Sequence, residues 1–160
     1  MIKRKSIFTI IAVVLLTFYI SRYYYQVCLI HGSSMEPAYH SWQLTLIDRR
    51  SAIPQPGTVI AVRCQELNAT IVKRVVAVPG DTLFIRNGFL YVNGAKSPAV
   101  SPAAYYEYAG IAADVITLKE GEYFVLGDNC SESIDSRNES VGIISAQDIL
   151  GEIIPQRSSW

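Results

Sequence analysis

The first thirty residues restrict this chain more than any other stretch. Lys3-Arg4-Lys5 precedes an uncharged run from Ser6 to Ser21, filled by Ile7, Phe8, Ile10, Ile11, Val13, Val14, Leu15, Leu16, Phe18 and Ile20. As a helix this run spans about 24 Å, short of the roughly 30 Å hydrocarbon core of a bilayer. Arg22 interrupts it, and apolar character resumes from Tyr23 to Ile30. Arg22 can snorkel towards head groups, and Tyr23-Tyr24-Tyr25 has the composition of an interfacial aromatic belt. A removed signal peptide requires small residues just before the cut, and Ser21 to Ile30 offers no such pair. A lipid anchor at Cys28 would want small residues before it, where Gln26 and Val27 stand. The reading is a retained signal anchor over residues 7–25. Residues 1–6 then form a basic cytoplasmic N-terminus, and residues 26–160 an extracytoplasmic domain. Cys28 becomes a small hydrophobe at the membrane edge.

The 160 residues carry 14 basic and 14 acidic side chains. Without a basic field, a nucleic-acid partner is excluded. Cys28, Cys64 and Cys130 are too few and too scattered for a disulfide framework, and none has zinc-site spacing. After Pro37 the chain reads as short strands between turns: 43–48, 58–63, 70–78, 82–86, 89–92 and 123–126. A loop with Pro54 and Pro56 runs from Ser51 to Gly57. Pro79-Gly80-Asp81 ends the third strand, and Asn87-Gly88 and Asn93-Gly94 are hairpin signals. Short apolar segments broken at Gly142 and Gly151 finish the chain. Residues 103–113 read as a short helix or a mobile loop. The expected fold is mostly β: a compact antiparallel β-sheet domain with closed or curved sheets, behind one transmembrane helix.

Three polar stretches carry chemistry. Gly32-Ser33-Ser34-Met35-Glu36-Pro37 is turn-forming, yet it also presents two serines, which become nucleophiles only when a base removes a proton. His31 and His40 are near, but no acid is placed to orient either one. Lys73 interrupts a β-branched run, and strand alternation points it away from Val72 and Arg74. It is either a surface lysine beside a surface arginine or a buried one. Burial lowers a lysine pKa, and a neutral lysine can serve as base to a serine. The third stretch runs from Gly127-Asp128-Asn129 through Cys130 and Ser133 to Asp135-Ser136-Arg137. Alone it reads as a polar loop with an exposed ion pair.

In order, Ser34-Met35-Glu36-Pro37, Lys73-Arg74-Val75 leading to Pro79-Gly80-Asp81, and Gly127-Asp128-Asn129 with Asp135-Ser136-Arg137 make the chain resemble bacterial type I signal peptidases. The resemblance runs from the anchor to about Gly142. It implies the fold of that family and a serine peptidase with a Ser–Lys dyad, needing no metal or cofactor. By position Ser34 matches the nucleophile and Lys73 the general base. Ser133 matches the hydroxyl that orients the lysine. Asp135 and Arg137 match a structural salt bridge, and Asp128 and Asn129 a turn beneath the site. Met35 and Pro37 are assigned to substrate binding. The implied partners are signal-peptide-bearing preproteins with small side chains at P1 and P3, and the lipid bilayer. Met35, Tyr39 and Trp42 could touch lipid, with core packing the alternative. The enzyme is expected as a monomer on the outer face of a bacterial inner membrane. A dedicated protease maturing one substrate, such as a conjugative pilin, is the alternative.

The chain departs from the family pattern in three places. Gly32 stands where some members have a serine that binds the oxyanion. Cys130 stands where a basic residue is frequent. About two extra residues fall within 138–141. The short stretch between Lys73 and the last motif implies that the accessory β domain of larger members is nearly absent.

Overall fold

The computed structural model describes residues 4–50 and 53–155. The start of the basic N-terminus (residues 1–3), the start of the Ser51–Gly57 loop (Ser51 and Ala52) and residues 156–160 of the expected domain lie outside the described residues. Helix α1 covers Arg4–Tyr23. Its apolar side chains face outward all round, Phe8 at 64%, Leu15 at 62% and Phe18 at 68% exposure. The stretch Lys5–Tyr23 is long and apolar enough to cross a membrane. Only Tyr24 separates the helix from strand β1 (Tyr25–Leu29).

That strand takes residues 25–29 of the apolar continuation Tyr23–Ile30 into the sheet, and the span expected over 7–25 loses its last two residues, Tyr24 and Tyr25, from the helix. All five residues of β1 pair with β2 (Leu44–Asp48), and Cys28 lies opposite Thr45. Cys28 packs against the buried cluster that contains Ile30 and Met35. Hydropathy cannot distinguish an apolar strand from the end of an apolar helix. The distinction comes from β2, which lies 15 or more residues away in sequence and supplies the backbone partners.

The remaining strands are β3 (Val59–Cys64), β4 (Ala69–Ala77), β5 (Thr82–Arg86), β6 (Phe89–Val92), β7 (Ala95–Lys96), β8 (Ile116–Thr117), β9 (Glu122–Leu126), β10 (Ile144–Ser145) and β11 (Ile149–Ile153). They form a seven-stranded sheet in the order β1-β2-β11-β3-β4-β9-β10 and a four-stranded sheet in the order β7-β6-β5-β8. Every pairing is antiparallel. Asn87-Gly88 closes the β5–β6 turn, and Asn93-Gly94 the β6–β7 turn. All four residues have positive φ, between 51° and 81°, as a type I′ hairpin requires and as Asn and Gly tolerate. The small sheet occupies the short stretch between Lys73 and the last motif.

The β3–β4 pair is buried on both faces. Val59, Ala61 and Val72 join Ile30, Met35, Tyr39 and Ile47 on one side. Ile60, Val62 and Val75 join Tyr123, Val125 and Ile144 on the other. A third cluster seals the two sheets together, with Leu83, Ile85 and Leu90 from the small sheet against Val76, Phe124 and Leu126 from the large one. Each such side chain contributes about 1.5–3 kcal/mol relative to exposure, so the strands carrying the polar site are fixed from both sides. The 103–113 segment is a held connection rather than a loose one. Tyr106 is 2% exposed and donates its N–H to the Gly88 carbonyl, and only Gly110–Ala113 is helical, as a 3-10 turn.

Candidate active site

Beyond β1 the chain turns back on itself. The Glu36 N–H donates to the Ser33 carbonyl at 3.0 Å, and the Tyr39 N–H to the Met35 carbonyl at 2.9 Å. Met35 and Tyr39, 1% and 6% exposed, pin this turn to the core. Met35 therefore forms the floor of the turn, not an open surface, and Tyr39 does not face lipid. Trp42 is exposed, at 68%. Pro37 is exposed and borders a cavity with Ala38, Val100 and Leu126. Ser34 sits at the head of the turn, where its carbonyl accepts the Asn129 N–H at 3.1 Å.

Lys73 comes to this serine from β4. It lies opposite Ile60 in the β3–β4 register and is 4% exposed. Its Nζ donates to Ser34 Oγ at 2.8 Å. A lysine with apolar neighbours loses hydration when charged. Burial accordingly lowers its pKa from 10.5 to about 8, against the fields of Asp135 and Asp128, which raise it; Arg137 lowers it further. Of the two readings open from sequence, the structure selects the buried one.

Arg74, the next residue, is no free surface cation either. Its Nε and Nη2 donate to both carboxylate oxygens of Asp128 at 2.6 Å, and its Nη1 to the Gly57 carbonyl at 2.6 Å. Arg74 adjoins Lys73 and Asp128 adjoins Asn129. This bidentate pair therefore ties the strand bearing the lysine to the turn that holds the Ser34 carbonyl. Sequence reasoning gave Arg74 no task; the only signal was the carboxylate in the Gly-Asp-Asn turn.

The Asp135–Arg137 pair is buried, not exposed. Asp135 is 0% and Arg137 2% exposed. Arg137 Nε and Nη2 donate to Asp135 at 2.8 and 3.0 Å. The guanidinium also donates to the carbonyls of Tyr108, Cys130 and Ser133, and its carbon lies 5.1 Å from the centre of the Tyr106 ring. Asp135 in turn accepts the Gly127 N–H at 3.0 Å. The pair is thus the internal frame of the 127–137 turn, where saturation by hydrogen bonds offsets the cost of dehydrating two charges. Gly127 is required by proximity: a Cβ there would collide with Ser133 Oγ and with the Ser34 carbonyl.

Ser133 differs from its expected role. It is 8% exposed, and its Oγ has no hydrogen-bond partner among the described residues; Lys73 is bonded to Ser34 instead. The two histidines stay apart from the pair. His31 packs edge-on against Trp42 at 4.9 Å, and exposed His40 lies 3.6 Å from Glu36. Cys28, Cys64 and Cys130 are free thiols.

Known proteins place this arrangement. The family model described as signal peptidase, peptidase S26, matches residues 3–155. Signal peptidase I U of Bacillus subtilis (strain 168) is 31% identical over 159 residues, covering 94% of this chain and 84% of its own length. A signal peptidase I of Bacillus licheniformis is 30% identical over 163 residues, covering 93% and 87%. The crystal structure of a signal peptidase I from Enterococcus faecalis V583 aligns with a TM-score of 0.50 at 30% identity, covering 63% of this chain and 97% of that one. With its β fold, its apolar N-terminal helix and a family match over nearly its whole length, the chain belongs to the signal peptidases of peptidase family S26.

Proposed function

We infer that this chain is a membrane-anchored serine endopeptidase that removes N-terminal signal peptides from exported preproteins, with Ser34 as nucleophile and Lys73 as general base. One observation carries the assignment: Lys73 Nζ lies 2.8 Å from Ser34 Oγ inside an apolar sheet face. In the neutral amine the nitrogen lone pair accepts the Ser34 proton while Oγ attacks the scissile carbonyl. The tetrahedral intermediate places its negative charge by the Ser34 backbone N–H, to which no acceptor is bonded among the described residues. Gly32 adds no side-chain donor; one missing donor costs about 10²–10³ in rate. As the intermediate collapses, the Lys73 ammonium gives its proton to the leaving amine and the C–N bond breaks. Water then attacks the Ser34 ester with Lys73 again as base, releasing the signal peptide's new carboxylate and restoring the serine. Asp135, Arg137, Asp128 and Asn129 hold the turn against which Ser34 rests, and Pro37 borders the substrate channel.

The proposed membrane arrangement is a basic cytoplasmic N-terminus (1–6), a span from residue 7 to the end of α1 at Tyr23, and a monomeric catalytic domain from β1 onward on the outer face of a bacterial inner membrane. The basic cluster at residues 3–5 sets that direction. Anchoring enzyme and preprotein in one bilayer raises their effective concentration. The test compares wild type, Ser34→Ala, Lys73→Ala and His31→Ala, full length in detergent, on a preprotein. Loss of cleavage in the first two variants is expected. Cleavage by Ser34→Ala, with Ser33 intact, refutes the nucleophile; a silent His31→Ala beside an active Lys73→Ala refutes the base.

A further inference from the structure

Backbone hydrogen bonds fix the approach to Ser34 at Ile30 and again from Ser33 onward, and Gly32 stands between them. The Ile30 N–H donates to the Gln43 carbonyl at 2.9 Å, and the Ile30 carbonyl accepts the Trp42 N–H at 2.7 Å. Further on, the Ser33 carbonyl accepts the Glu36 N–H and the Ser34 carbonyl accepts the Asn129 N–H. Gly32 is exposed, its φ is 91°, and beyond its chain neighbours no atom lies within 4 Å of where a Cβ would stand. Packing therefore does not set its dihedrals, and glycine has the weakest preferences of its own. Its N–H donates to Ser41 Oγ at 3.1 Å. We propose that Ser41 is a positioning residue for the oxyanion donor: by tethering Gly32 it aims the Ser34 N–H at the carbonyl oxygen under attack. The proposal rests on the reading of Ser34 as nucleophile.

A planar trans peptide points the Ser34 N–H opposite to the Ser33 carbonyl. Glu36 holds that carbonyl, and the tilt of the peptide otherwise follows the dihedrals of Gly32 and Ser33. A Gly32 free to rotate would swing the donor away from the developing charge while Met35 stays in the core. The bond also spends the Gly32 N–H on Ser41, so the oxyanion depends the more on the Ser34 N–H. The turn that presents Ser41 carries backbone strain. Its Gln43 N–H donates to the His40 carbonyl at 3.2 Å, and Trp42, its third residue, has φ 66°. That position calls for Gly or Asn, and a bulky residue there is an outlier. Such strain persists where the surroundings over-determine it. Here the Trp42 N–H bond to Ile30, the His40 N–H bond to Gln43 Oε1 at 2.9 Å and the edge-on contact of Trp42 with His31 do so. Together they hold the Ser41 hydroxyl against Gly32.

The experiment measures kcat and KM separately for full-length wild type, Ser34→Ala, Ser41→Ala and Ser41→Thr in detergent, on one internally quenched peptide that spans a cleavage site. Ser41→Ala is expected to lose about 10- to 100-fold in kcat. Its KM stays within about twofold, because the lost bond touches no substrate, and its pH inflection stays where Lys73 sets it. Ser41→Thr restores the hydroxyl, and with it kcat to within about threefold of wild type. An unchanged kcat in Ser41→Ala overturns the proposal. So does a KM that rises in step with the loss of kcat, or a Thr variant as slow as the Ala variant. A peptide left whole by wild type, or cut by Ser34→Ala, refutes the peptidase reading and the proposal with it. An active wild type and a silent Ser34→Ala beside an unchanged Ser41→Ala refute the proposal alone.

Discussion

Lowering the pH protonates Lys73, and its surroundings set how much activity is lost. With a pKa of about 8, the neutral fraction is about one half at pH 8, one tenth at pH 7 and one hundredth at pH 6. A lysine left at its ordinary 10.5 would be neutral in only about three molecules in ten thousand at pH 7, so burial raises the competent population about 300-fold. We expect kcat/KM for an internally quenched peptide to rise about tenfold per pH unit up to about pH 8 and then level. Ile60, opposite Lys73 and fully buried, supplies part of that dry face. Ile60→Ala should admit water and move the inflection towards the alkaline side, at about 2–5 kcal/mol of stability. An inflection near pH 6.5 would point to a histidine base. One above pH 10 would mean that the lysine is not dehydrated. A profile without an acid limb would remove side-chain general base catalysis from the mechanism.

Two further outcomes follow from the same geometry. Lys73 has a folded pKa below its unfolded value, so the unfolded chain binds more protons between about pH 8 and 10.5, and stability rises with pH across that window. Below pH 8 the whole cost is present, about 3 kcal/mol for the lowering from 10.5; Lys73→Met should therefore raise the melting temperature at pH 7 while abolishing cleavage, and a lower melting temperature would contradict the reasoning. Gly127→Ala forces a Cβ into Ser133 Oγ and the Ser34 carbonyl; activity should fall at least 100-fold with the circular dichroism spectrum retained, and wild-type activity would show that the turn and the serine move independently.

The site draws on four regions distant in sequence: the turn after β1, β4, the 127–137 turn and the 105–108 connection. The hydrogen bond between residues 34 and 73 and the Arg74–Asp128 pair are its cross-links. Those ties explain why a lysine of high dehydration cost sits in this sheet at all. Native proteins retain such destabilised groups where the chemistry requires them.

Local physics made much of this legible in the sequence. The apolar run declared a helix because hydropathy and length act within one segment. The Asn-Gly pairs declared their turns because positive φ is a property of those residues themselves. The β-branched runs declared β3 and β4, and an apolar run declared β9, in the same way. Tertiary structure decided what depends on partners far along the chain. It drew Tyr25–Leu29 out of the apolar segment into the sheet, because β2 supplies its hydrogen bonds. It buried Asp135 with Arg137, which the polar composition of the loop alone leaves as an exposed pair. It made Met35 core, left the Ser133 hydroxyl unpaired among the described residues and packed the 103–113 segment. Above all it dried Lys73. A lysine in a strand titrates like any other until burial, here opposite Ile60 of β3, excludes water around it, and that exclusion exists only when the strands are assembled.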